Sequence, residues 1–262
     1  MGGALLAGWL EQGLPGSAIK VVEPQTGEPR MAELSERGVS IVGSSDALDP
    51  DIIPDVIVLA VKPQALDGIA PAYRRFSKSA VFLSVAAGRT IRSLQTPLGY
   101  GAAIVRCMPN IPAAVRLGVT VACANANASG EQRALCGKLL EAVGDVVWIE
   151  DENLMDAVTA VSGSGPAYLF LLAEELAVAG VAAGLPHDLA ETLARLTVTG
   201  AGALLASSHL SPSQLRENVT SPGGTTEAAL KILMGPDGLR NLMTKAVRSA
   251  AERSRELSRQ LP

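Results

Sequence analysis

Aromatic side chains make up only 3% of this 262-residue chain, histidine occurs twice and cysteine three times. Each scarcity excludes something. So few aromatic rings leave no surface for stacking on bases or sugars. Cys107, Cys123 and Cys136 are odd in number and show no CxxC spacing, which argues against a disulfide framework or a zinc site. His187 and His209 are too few for a histidine-based metal cluster, so no metal is expected. Basic residues are not in excess: 22 Lys and Arg face 26 Asp and Glu, a net charge of -4. The electrostatic footprint of nucleic-acid or anionic-membrane binding is therefore missing. The apolar opening Met1 to Leu10 lacks the basic region and cleavage site of a secretory signal, and Leu6 stands where a myristoylation signal needs Ser or Thr. No apolar run is expected to reach the length of a membrane span. These absences describe a cytoplasmic globular protein that binds neither nucleic acid nor membrane.

What is present is a large apolar fraction, 48%, rich in small and branched residues, with a mean hydropathy of +0.27. In the first half, short β-branched runs alternate with amphipathic segments. Ile19 to Val22, Val39 to Val42, Val56 to Val61, Ala80 to Val85, Ala102 to Val105 and Val146 to Ile149 read as strands. Gly27 to Arg37 reads as a helix closed by Gly38, and Ser129-Gly-Glu-Gln132 as a capping box that opens another. Near-continuous apolar strands alternating with helices imply a parallel sheet covered on both faces. Beyond Glu150-Asp-Glu152 the pattern changes, and no convincing strand follows. Tyr168 to Ala183 is apolar almost all round, Leu189 to Leu205 is similar, and Leu239, Leu242, Met243, Ala246, Val247 and Ala250 form one helical stripe. A domain this small cannot cover such helices by itself, so a second copy of the chain is expected to do so. The fold expected is an α/β Rossmann-like N-terminal domain, 1–151, with a mostly parallel sheet, followed by an all-α domain, 152–262, for substrate binding and dimerisation.

A dinucleotide-binding domain leads its first strand into a G-x-G-x-x-G turn, where a helix N-terminus holds the pyrophosphate. This sequence opens directly in an apolar helix from Gly3 to Leu10, yet Glu23 lies about twenty residues after Gly2, the place of the acid that binds the adenosine ribose. Two readings stay open from these residues alone. Gly2 is the third glycine of the fingerprint, with the first strand and first two glycines missing; or there is no fingerprint and Gly2-Gly3 is incidental. On the first reading the strand's absence exposes its neighbours' edges, and the chain as given, from a misassigned start or a fragment, is expected to bind cofactor poorly.

Four segments carry the chemistry. Asp55-Val-Ile-Val-Leu-Ala-Val-Lys-Pro-Gln64 is a strand running into Lys-Pro, and Arg106-Cys-Met-Pro-Asn-Ile-Pro112 follows a second strand. Ser162-Gly-Ser-Gly-Pro-Ala-Tyr168 is a small-residue turn opening a long helix, and Asn218-Val-Thr-Ser-Pro-Gly-Gly-Thr-Thr-Glu-Ala-Ala-Leu230 opens another. Alone, the last segment reads as an ordinary N-capped helix start. In order and in company, the four resemble the pyrroline-5-carboxylate reductase family over essentially the whole chain. Ser-Pro-Gly-Gly-Thr-Thr is the most specific of them, whereas Ala-Val-Lys-Pro is shared with related dehydrogenases.

The resemblance implies NAD(P)H-dependent reduction of the C=N bond of 1-pyrroline-5-carboxylate to proline. It implies that Ser221, Gly223, Gly224 and Thr225 hold the substrate carboxylate, that Thr226 faces the ring nitrogen as the catalytic residue, and that Glu152 lies near the substrate. Cofactor contacts would come from Gly2, Glu23, Ala60, Val61, Lys62, Pro63, Ala86, Ala87, Gly88 and, at the nicotinamide end, Asn218. Free main-chain donors at a helix start, together with the helix dipole, suit a carboxylate. The charge of Glu23 disfavours a 2′-phosphate, which leans the cofactor toward NADH. Asn110 reads as a loop brace, His187 as a helix-start residue, His209 as a solvated loop residue, and Cys107 as a thiol without activation.

Two rival classes are weighed. A β-hydroxyacid-dehydrogenase-like oxidoreductase needs a lysine on the long helix as proton donor, and no lysine occurs between Lys138 and Lys231. A protonated imine already carries its positive charge, so the absent lysine favours imine reduction. A non-enzymatic nucleotide sensor has no use for a carboxylate cradle; a third reading, an inactive fragment held together by its helical dimer domain, stays open.

Overall fold

The computed structural model describes residues 1–260. They form two compact units, Met1–Gly163 together with the chain from Glu252 onward, and Ser164–Ala251. The division at Gly163 lies beyond the boundary at 151/152 expected from sequence, and the end of the last helix belongs with the first unit.

The first unit is α/β. Its elements are α1 (Gly2–Glu11), β1 (Lys20–Val22), α2 (Pro29–Glu36), β2 (Ser40–Val42), β3 (Val56–Leu59), α3 (Leu66–Ile69), β4 (Val81–Ser84), α4 (Ile91–Leu98), β5 (Ala103–Met108), β6 (Gly118–Ala124), α5 (Gly130–Glu141), β7 (Gly144–Trp148) and α6 (Met155–Val158). The strands form two sheets: β1 pairs in parallel with β2, and the second sheet runs β3-β4-β5-β6-β7. Among the described residues only the β5–β6 pairing is antiparallel. β1 and β3 each end a sheet among the described residues.

Alternation along the strands sorts the core into two layers. Phe82 and Ile104 point to one face, with Leu59, Leu66, Leu94 and Leu98. Val81, Leu83, Val105 and Cys107 point to the other, with Leu5, Cys136 and Leu140. A third cluster, Leu6, Ile19, Leu34 and Val39, belongs to the small sheet. Adjacent residues Leu5 and Leu6 thus place α1 against the cores of both sheets. The capping box is formed: Gln132 N donates to Ser129 Oγ, and Ser129 N to Gln132 Oε1. Gly38 closes the turn after α2 with φ at 84°, a region costly for any residue with a Cβ.

The second unit is all-helical: α7 (Gly165–Ala182), α8 (His187–Ser207), α9 (Pro212–Asn218), α10 (Thr225–Leu233) and the first part of α11 (Leu239–Gln260). Gly184, at φ 104°, ends α7. Gly180 lets α7 approach α8, since a Cβ there would lie 3.3 Å from that of Ala190. Their remaining faces are open: Phe170 is 63% exposed and Leu196 62%.

Two sequence expectations change. The turn read at Ser162–Tyr168 does open a long helix but is shorter than expected: Thr159–Gly163 continues α6 as a π-helical turn, with Ser162 Oγ donating to Val158 O, and α7 starts two residues on. The helical stretch Glu152–Ala182 is, by length and composition alone, long and apolar enough to cross a membrane, contrary to the expectation that no run reaches that length. A search for an unbroken apolar run overlooks it because Glu174 and Glu175 interrupt the sequence while a window average absorbs them.

Candidate active site

In the first unit the carboxyl ends of parallel neighbours β3 and β4 lie side by side, paired from Val56↔Val81 to Leu59↔Ser84. Ligands of open α/β sheets bind outside such ends. The chain after β3 passes through Ala60, Val61, Lys62 and Pro63 into a tight turn in which Ala65 N donates to Lys62 O. After β4, Ala86, Ala87 and Gly88 form a turn closed by Arg89 N donating to Ala86 O. Gly88 takes φ 76°, as the third position of such a turn demands.

Gly2 lies against the β3 loop: a Cβ on it would meet that of Ala60 at 2.8 Å. The N-terminus of α1, with its first amides lacking intrahelical acceptors, therefore abuts the strand ends at a point only glycine tolerates. Glu23, just past β1, donates its amide to Val42 O and accepts the Gln25 amide on Oε1. A helix start, a close glycine contact and an acid at the end of a parallel strand together fit a dinucleotide.

Behind these loops Thr90, Glu152 and Asn110 are each held by hydrogen bonds. Thr90 caps α4 by accepting the Ser93 amide. Glu152 Oε1 accepts both the Ile91 amide at 2.8 Å and Arg106 Nη1 at 2.6 Å. The carboxylate expected beside the substrate thus braces the start of α4 within its own unit. Asn110 is a loop brace, as its position suggests: Oδ1 accepts the Val119 amide and Nδ2 donates to Ser162 O. Cys107 is buried, and desolvation holds its thiol well above the ordinary range, so it is no thiolate.

In the second unit, Ser211 caps α9 in a reciprocal capping box with Gln214, and Asn218 is the exposed last residue of that helix. Ser221 to Gly224 make a turn closed by Gly224 N donating to Ser221 O, with Gly223 at φ 71°. Gly224 caps α10, and Thr225 and Thr226 are its first two helical residues. The Gly223 amide donates to Glu227 Oε2 at 2.7 Å. Two of the main-chain donors expected to be free are therefore engaged, one by the turn and one by a carboxylate of the same helix. The second case shows that this amide can present itself to a carboxylate oxygen.

His187 begins α8 and His209 lies in the exposed Ser-rich loop after it, as read from sequence. Sequence reasoning missed Glu227, although glutamate three residues into a helix is a capping signal. It also missed Arg89 and Asp67, which carry no recognisable spacing.

Comparison with known proteins decides the family. Residues 152–257 match the model for pyrroline-5-carboxylate reductase dimerisation, and residues 1–88 match that for NADP oxidoreductase, coenzyme F420-dependent. The pyrroline-5-carboxylate reductase of Pseudomonas aeruginosa is 41% identical over all of this chain and 94% of its own length. A solved pyrroline-5-carboxylate reductase from Coxiella burnetii superposes with a TM-score of 0.90 at 34% identity, covering 98% of this chain and 94% of that one. The Plasmodium falciparum enzyme, solved with NADP bound, gives 0.81 at 28% identity over 98% of this chain and 94% of that one. The chain belongs to the pyrroline-5-carboxylate reductase family.

As a pyrroline-5-carboxylate reductase family member it is an NAD(P)-dependent oxidoreductase with a helical dimerisation region. The dimerisation match supports a homo-oligomer, and α7 and α8, with their open apolar faces, lie within the matched residues. The family boundary at residue 152 and the compact-unit boundary at Gly163 differ because α6 packs with the nucleotide unit, where Met155 joins the core around Phe82.

Proposed function

We infer that the chain catalyses the last step of proline synthesis, hydride transfer to C5 of 1-pyrroline-5-carboxylate. The observation that carries this reading is the Ser221–Thr226 turn, a glycine-opened helix start whose Gly223 amide is aimed so that a carboxylate oxygen accepts it. A substrate carboxylate suits Ser221, Gly223, Gly224 and Thr225 for the same reason, with the α10 dipole favouring its charge. Thr226, in the next position, is the polar contact to the ring nitrogen. Hydride adds to C5, the C=N pair moves onto nitrogen, and the product amine stays within hydrogen-bonding range of the Thr226 hydroxyl. No general acid is required, because the protonated imine already carries the charge.

A reduced nicotinamide supplies the hydride when bound. The residues assigned to hold its dinucleotide are Gly2, Glu23, Ala60 to Pro63, Ala86 to Gly88 and Asn218. Glu23 leans the choice toward NADH, since a carboxylate repels a 2′-phosphate; a strong rate preference for NADPH would mean that Glu23 does not meet the ribose. The helices from residue 152 onward serve substrate binding and form at least a dimer. The apolar stretch Glu152–Ala182 then faces another copy, not a lipid bilayer, in a cytoplasmic enzyme.

The test is to incubate purified protein with the imine and either reduced cofactor. Proline accumulating in step with cofactor oxidation is the expected result. Absence of both at every cofactor concentration sinks the assignment.

A further inference from the structure

The nucleotide unit contains a buried charge to which the activity assigns no task. Arg89 is wholly buried, while Asp67 keeps 43% of its side chain exposed. Arg89 Nη1 donates to Asp67 Oδ2 at 2.8 Å and Nη2 to Oδ1 at 2.5 Å; Nη2 also reaches Ser93 O at 3.5 Å. Among the described residues Nε has no hydrogen-bond partner. As a device for stability this is a poor arrangement. Sealing a guanidinium from water is costly, an unsatisfied N–H adds to the cost, and a well-packed apolar side chain would do as well.

Its placement suggests a different role. Arg89 is the last residue of the Ala86–Arg89 turn, directly after Gly88. Asp67 lies in the first turn of α3, just beyond the Lys62–Ala65 turn. The pair therefore ties the connection after β3 to the connection after β4. A bidentate fork fixes both the separation and the mutual orientation of the groups it joins, which a single hydrogen bond does not. The Asp67 carboxyl is held below its ordinary value, first by the hydrogen bonds from Arg89 and further by that residue's charge, so the fork stays ionised at neutral pH.

We infer that Arg89 and Asp67 form a positioning clamp that sets the spacing between the Ala60–Pro63 and Ala86–Gly88 loops, and through it the affinity for the reduced dinucleotide. The inference rests on the reading that those two loops line the dinucleotide. Arg89 is sealed from solvent and acts only through the loops it joins.

The deciding experiment uses three variants of the full chain. The double variant Arg89→Met, Asp67→Leu removes both charges together, so no lone buried cation is left to unfold it. Arg89→Lys keeps a charge but not the fork. Ala87→Asp places a carboxylate on the exposed tip of the β4 loop. Dissociation constants for NADH and NADPH come from nucleotide fluorescence, with KM and kcat measured alongside. The clamp predicts that the double variant weakens binding of both cofactors by about tenfold, leaving kcat at saturation and the imine KM within about twofold, and that Arg89→Lys falls between it and the parent. A double variant that melts earlier but binds cofactor as the parent does would make the pair purely structural and overturn the clamp alone. Ala87→Asp separates that failure from failure of the underlying reading. If it abolishes binding, the loop lines the dinucleotide; if it leaves binding unchanged, loop assignment and clamp fall together.

Discussion

The two units solve the problem of their own surfaces in opposite ways. The nucleotide unit closes on itself: Phe82, Leu83, Ile104 and Val105 are fully buried, and Glu152, Asn110 and Thr90 are taken up by main-chain groups nearby. The helical unit does not, for α7 and α8 bury little beyond Pro166, Ala190 and Ala194 and turn large apolar side chains outward. A unit with a sealed core can hold a cofactor platform rigidly. A unit with open apolar helices leaves large apolar surface for a second copy to cover, in keeping with its match to a dimerisation family.

The comparison breaks most readily on the open helices. Phe170→Asp should dissociate the oligomer and lower activity by about a hundredfold or more, the scale of a central interface anchor. Sedimentation velocity checks this, and an intact oligomer would mean that α7 faces something else. Thr226→Ala removes one polar contact in the open unit's turn; kcat should fall about tenfold with the melting temperature nearly unchanged. Unaltered turnover would remove Thr226 from the mechanism. Glu227→Gln weakens the internal carboxylate's hold on the Gly223 amide, and KM for the imine should fall by about threefold. A rise in KM would instead make Glu227 a support of the cradle.

The smallest effect expected is none. Desolvation pushes the Cys136 thiol up to about 12 and Cys107 well above its ordinary range, and it raises Cys123 too. A raised value keeps a thiol protonated until pH climbs past it, so all three stay protonated at neutral pH. Iodoacetamide should leave the native protein active under conditions that label the denatured chain. Rapid inactivation would show that the nucleotide unit is less tightly closed than its partner unit is open.

Much of this contrast was legible in the residues. β-Branched runs located the strands to within a few positions, and the Ser129–Gln132 box was read outright. α7 and α8 declared their need of cover by being apolar almost all round, and α11 by its one apolar stripe. Two elements were passed over for physical reasons. β6 pairs antiparallel with β5, and its three branched residues, Val119 to Val121, run on into the small Ala122, Cys123 and Ala124, which blurs the strand pattern. α4 is only eight residues long and contains Pro97. At the site, the glycine turn was legible through its resemblance to the family's Ser-Pro-Gly-Gly-Thr-Thr segment, and the positive φ of Gly223 gives a physical reason for one of its glycines. The Arg89–Asp67 pair was not. Its residues are joined by tertiary packing, and a fully buried arginine runs against every expectation that composition supplies.

The central claim is that the open unit's turn holds an imine while hydride passes directly to its ring carbon. It is tested most directly by supplying cofactor deuterated at the transferable position and locating the label in the product by mass spectrometry and NMR. The account predicts proline carrying one deuterium at C5. Unlabelled proline, or label at any other carbon, would contradict it.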